Sequence, residues 1–105
     1  MEVRRVPRVA VDWKVTLRMD KQVTHGRALQ FSEYGMLVAP PEVAQVGQHY
    51  DLMFNVPGLP AAIKVRGIGV YSTAKGVGIR FEQVPPDVTT ALRAYLTSIV
   101  PSPGA

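Results

Sequence analysis

Cysteine is absent from this chain of 105 residues, which excludes disulfides, thiol catalysis and any cysteine-ligated zinc site. That absence fits a reducing, cytoplasmic compartment. Long apolar runs are missing too: no stretch of about 18 apolar residues is available to cross a membrane as a helix. Residues 1–7 carry charge with no apolar segment behind them of the kind an export signal requires, so the chain reads as a complete cytoplasmic protein. Histidine is scarce, and His25 and His49 have no neighbour at metal-ligand spacing. No glycine-rich loop opens a helix, and Asp51 and Glu82 read as surface charges at strand ends. An enzyme, a metal and a cofactor are therefore not expected.

What the chain does have is basic charge in one place. Residues 1–30 hold seven Lys/Arg against three Asp/Glu, while the other 75 residues hold five of each. The whole net charge of +4 thus comes from the first third. Such polarity points to an anionic partner at one end of the molecule. A uniformly basic nucleic-acid binder would spread its charge more evenly.

The length suits one domain with a single core. From Val9 to Met19 apolar and polar residues alternate without interruption, the mark of a strand with one buried face. A second strand is expected from about Val23 to Phe31, with Leu29 and Phe31 inward. "SEYG" (32–35) then breaks the pattern as a turn, where Gly35 offers a positive φ at little cost. A short strand over 36–38 and a loop ending near Gly47 follow. Tyr50, Leu52, Phe54 and Val56 alternate up to the turn "PGLP". In the next strand, about 61–71, Ile63 and Val65 are odd-numbered but Ile68 and Val70 even, which predicts a β-bulge at Gly67. Val77, Ile79 and Phe81 form the last strand. Val88, Ala91, Leu92, Tyr95, Leu96 and Ile99 then follow helical spacing, with Asp87 as N-cap and Pro101 as a stop. The expected fold is mainly β: a small six-stranded antiparallel, split β-barrel plugged by one C-terminal α-helix.

Two segments remain that the fold does not require. The first is "RRVPR" (4–8), three arginines immediately before the first strand; alone it fits a solvated basic tail. The second is Ser32-x-x-Gly35 with Gln30 two residues ahead; alone it fits a hairpin turn. Together, at this spacing, they resemble the signature of the PilZ domain family: Arg-x-x-x-Arg, then [Asp/Asn]-x-Ser-x-x-Gly about twenty residues later. "QFSEYG" carries glutamine where that signature has aspartate or asparagine. The last strand "GVGIRFEQV" and the helix "DVTTALRAYL" extend the resemblance over about residues 4–99.

The resemblance implies a receptor for the bacterial second messenger cyclic di-GMP, with Arg4, Arg5, Arg8, Gln30, Ser32 and Gly35 as ligand-binding residues. The expected organisation is a switch segment at 1–8, the barrel and helix at 9–100, and a disordered tail at 101–105. Arginine suits such a ligand because its planar fork pairs with guanine O6 and N7, stacks on a base or grips a phosphate. Ordering of the arm over the barrel is expected to signal to a protein partner in trans, in motility, type IV pili, exopolysaccharide export or biofilm formation. The chain itself would be a monomer or homodimer. Two other readings stand beside this one. A PilZ-like adaptor that has lost or weakened ligand binding is favoured by Gln30 and disfavoured by the intact arginine pair. A barrel binding single-stranded nucleic acid requires exposed aromatics beside the basic residues, whereas the eight aromatics here fall mostly at inward positions. DNA is not an expected partner.

Overall fold

Alternation governs the architecture of the computed structural model, which describes residues 8–99. Six strands form: β1 (Val9–Met19), β2 (Gln22–Ser32), β3 (Gly35–Ala39), β4 (His49–Phe54), β5 (Ile63–Ser72) and β6 (Val77–Glu82). One helix, α1 (Pro86–Ile99), ends the described chain. The strands close into a barrel in the order β1-β2-β3-β6-β5-β4, every neighbouring pair antiparallel. Closure removes the free edges that would otherwise invite another strand. Arg4, Arg5 and Pro7 of the expected switch segment lie outside the described residues, as do Pro101 and the expected tail.

The interior is apolar and aromatic. Val15 and Leu17 of β1, Phe31 of β2, Val38 of β3, Leu52 and Phe54 of β4, and Val77 and Ile79 of β6 are all buried in one cluster. Phe31, Phe54 and Phe81 sit with ring centroids about 6 Å apart, within the range of favourable aromatic pairing. Leu92 and Leu96 bring α1 into the same cluster, and Tyr95 meets Trp13 edge-on at 5.6 Å. Helical spacing of these residues puts one stripe on the barrel, as expected of a plug. Each buried leucine contributes roughly 1.5–3 kcal/mol.

Four expectations are corrected. The bulge is not at Gly67: β4 and β5 pair without interruption from Phe54↔Ile63 to His49↔Ile68, and the register shifts only between Gly69 and Tyr71 on β6. Gly67 and Gly69 simply continue the inward odd positions of β5. A Cβ on Gly67 would lie 2.7 Å from Ile79 Cγ2, and one on Gly69 would strike the Gln45 carbonyl. Glycine there answers crowding, so the apparent phase slip is two missing inward side chains.

Leu29 is not an inward residue. It is the extra residue of a register shift between Ala28 and Gln30, and Gly26, Ala28 and Phe31 take the interior positions of β2. Asp87 lies in the first turn of α1, whose first backbone bond runs from Thr89 N–H to the Pro85 carbonyl. Its position near the helix N-terminus is still electrostatically favourable. Gly35, finally, is not among the positive-φ glycines, which are Gly47 and Gly58.

Candidate functional site

The outer face of the barrel across β2, β3, β6 and β5 holds a cleft of about 330 Å³. Register explains how distant residues reach it. Val9 pairs with Phe31, so Arg8 falls beside the Ser32 end of β2. Gln30 pairs with Leu37, Ser32 with Gly35, Gly35 with Arg80, and Gly78 with Tyr71. One band of neighbours thus runs across four strands. Arg8, Gln30, Ser32 and Gly35, four of the six residues singled out from the sequence, all line the cleft. Arg4 and Arg5 lie outside the described residues.

Local structure sets each group. The Ser32 hydroxyl accepts a hydrogen bond from the Tyr34 amide at 3.2 Å, a short side-chain-to-backbone link that shapes the turn. This leaves the hydroxyl hydrogen available as a donor. The Tyr34 carbonyl in turn accepts from the Phe81 amide at 2.8 Å, which anchors the turn to β6. Gly35 is needed for close approach: a Cβ there would collide with the Ile79 carbonyl oxygen of the paired strand. Glu33 points away from the cleft and binds Arg93 of α1 at 2.6 Å. That carboxylate raises the already high pKa of the Arg93 guanidinium.

Arg80, Tyr71 and Tyr34 also line the cleft and were not singled out by sequence reasoning. Arg80 is exposed on the outer face of β6, between the inward Ile79 and Phe81. Tyr71 is 43% exposed and its ring lies across Gly78, where a Cβ would overlap the ring. Tyr34 is 55% exposed in the turn itself. A signal for Arg80 was present, since it is the lone charged residue inside an apolar strand. Tyr71 had none, because its exposure follows from the β5 register shift.

The charge of the cleft is one-sided. Among the described residues its lining includes Arg8 and Arg80 and no carboxylate. Neutral polar groups come from Gln30, Ser32 and the two tyrosines. Such a surface offers an anion donors of both charged and neutral kinds, with flat rings on which a planar group could stack. Elsewhere, His49 and Glu82 pair at 2.9 Å on the exposed surface, and His25 meets the Thr16 hydroxyl at 3.4 Å. Among the described residues no group of three or more His, Asp and Glu is placed to hold a metal ion. No helix among them is long and apolar enough to cross a membrane.

The sequence matches the PilZ domain family over residues 2–98, nearly the whole chain. The chain belongs to the PilZ domain family. Solved structures of PilZ-type proteins share its fold at low identity. The Bacillus subtilis inhibitor of motility, MotI/DgrA, superposes with a TM-score of 0.79 at 13% identity, over 93% of this chain and 51% of that one. The present chain therefore spans about half of that protein. The PilZ domain of Escherichia coli YcgR, solved with c-di-GMP, gives 0.70 at 18% identity, over 92% and 91% of the two chains. The longer YcgR structure with c-di-GMP gives 0.70 at 19%, with 45% of that chain covered. Among curated proteins no sequence match reaches significance.

Proposed function

We propose that this PilZ domain is a receptor for cyclic di-GMP and that its cleft is the ligand site. The observation that carries the reading is the convergence of Arg8 with Gln30, Ser32 and Gly35 of a motif distant from it in sequence, on one cationic cleft. The structurally similar YcgR domain was solved with this ligand. Cyclic di-GMP carries two phosphates and two guanines in a compact ring, and the cleft offers matching groups. Arg8 and Arg80 suit phosphate or the O6/N7 edge of guanine, and Ser32 suits a phosphate oxygen. Gly35 lets the backbone come close.

In this scheme the segment carrying Arg4 and Arg5 closes over the bound ligand, and Pro7 limits the conformations to be lost. The closed arm changes the surface shown to a protein partner. Similarity to an inhibitor of motility favours motility as the process controlled.

Calorimetric titration with cyclic di-GMP tests the reading. Binding at micromolar concentration or tighter is expected, with Arg8→Ala removing it. Gln30→Asp should strengthen it by roughly ten- to a hundredfold, because a carboxylate pairs with guanine N1–H and N2–H through charge-assisted bonds. If the wild type binds nothing and Gln30→Asp restores binding, the domain is instead an adaptor that works through protein contacts. Absence of binding by every variant would leave the arginines as a basic tail and the proposal wrong.

A further inference from the structure

Among the described residues that line the cleft, Gln30 is the one side-chain amide and none is a carboxylate, and these facts bear on which bases the site accepts. We propose that Gln30 relaxes base selection, so that the site takes cyclic purine dinucleotides containing adenine as well as guanine. This inference rests on the receptor reading above and concerns the same cleft.

A side-chain amide both donates and accepts. Oε1 is an acceptor and Nε2 a donor, fixed side by side on one planar group. Guanine meets that pair with N1–H as donor and O6 as acceptor. Adenine meets it equally well, with N6–H as donor and N7 or N1 as acceptor, and paired contacts of glutamine to adenine are a recurrent mode of recognition. A carboxylate at the same place would only accept. It would suit the two donors of guanine and set lone pairs against N1 or N7 of adenine.

Among the described residues the surroundings do not restore the missing selectivity. Glu33, the nearest acid in sequence, is held on Arg93 at 2.6 Å and is not a lining residue. Ser32 can both donate and accept, and the tyrosine rings stack on any base. Arg8 and Arg80 are donors only, and they favour guanine O6/N7 over adenine, whose N6 amino group would face them. A ligand with one guanine at the arginines and one adenine at Gln30 satisfies all of these groups. The mixed cyclic guanine–adenine dinucleotide is therefore expected to bind close to cyclic di-GMP, and the all-adenine compound more weakly than either.

Titration of the wild type and Gln30→Glu with cyclic di-GMP, the mixed 3′,3′-linked guanine–adenine compound and cyclic di-AMP tests this. Gln30→Glu keeps the length and shape of the side chain and replaces its donor with a negatively charged acceptor, a charge that meets the two phosphates of all three ligands alike. Gln30 is exposed, so folding should survive, and matching thermal unfolding curves would verify that. The wild type should bind the mixed compound within about tenfold of cyclic di-GMP. In Gln30→Glu that gap should widen by roughly fivefold to a hundredfold, the range one paired base contact covers. If the wild type already rejects the mixed compound as strongly as Gln30→Glu does, the inference fails while the receptor reading stands. If none of the three binds the wild type, both fail together.

Discussion

Gly35 shows how one atom ties the cleft to the barrel beneath it. Its neighbour across the sheet is backbone, the Ile79 carbonyl, which cannot move aside as a side-chain tip can. Gly35→Ala should therefore destabilise the fold by about 1–3 kcal/mol, read as a lower denaturant midpoint with an unchanged slope. It should also weaken the binding of cyclic di-GMP, since β3 would be pushed away from β6 beneath the cleft. Gly78 makes a useful contrast, because there the obstructing group is the Tyr71 ring, a side chain with room to swing outward. Sequence pointed to Gly35 by its spacing from Ser32, but suggested the wrong reason for it. A turn glycine and a close-approach glycine look alike until the paired strand is in place.

At the scale of an element, β1 is the informative case. Its bounds, Val9–Met19, were legible from alternation alone, because each residue's environment depends on which face it takes. Its bend was not legible. Between Ala10 and Trp13 the register on β2 shifts, and there Asp12 binds Arg27 of β2 at 2.5 Å. The bond to Arg27 holds the Asp12 carboxylate below its ordinary pKa of 3.8. A carboxylate with a depressed folded-state pKa adds stability at pH values above its unfolded pKa. That contribution disappears as pH falls through the folded value. Asp12→Asn should therefore lower thermal stability slightly at neutral pH and remove the corresponding part of the loss seen on acidification below about 3.8. Thermal melts of both proteins across that range check it. Since the pair is exposed, the effect should shrink in high salt.

Over the whole molecule, α1 decides whether the barrel has a closed interior. Leu92 is 0% exposed and lies in the same cluster as the strand residues. Leu92→Ala should lower the unfolding free energy by about 2–5 kcal/mol in denaturant titrations. Fluorescence of Trp13, which packs against Tyr95 of α1 as well as Phe31 and Phe54 of the barrel, should change in the same transition as circular dichroism. A helix that melted well before the barrel would contradict the shared core. The helix was readable in advance from its spacing, and so was its apolar stripe. That the stripe would plug the barrel was expected from the fold class; which strand residues it would meet was not, since a 3.6-residue period says which face is buried but not against what.

Local order and chemistry, then, lie in the sequence by itself. Alternation and helical spacing are properties of neighbouring residues, so six strands and one helix could be placed before any of them were packed. The two motifs named their residues for the same reason. The tertiary structure alone decided which strands are neighbours, where the sheet bulges, and that Arg80 and Tyr71 join Arg8, Gln30 and Ser32 at one cleft. Those outcomes depend on pairing between segments far apart in the chain. A single residue of slip turns an inward side chain outward, and nothing local to the sequence records where such a slip will fall.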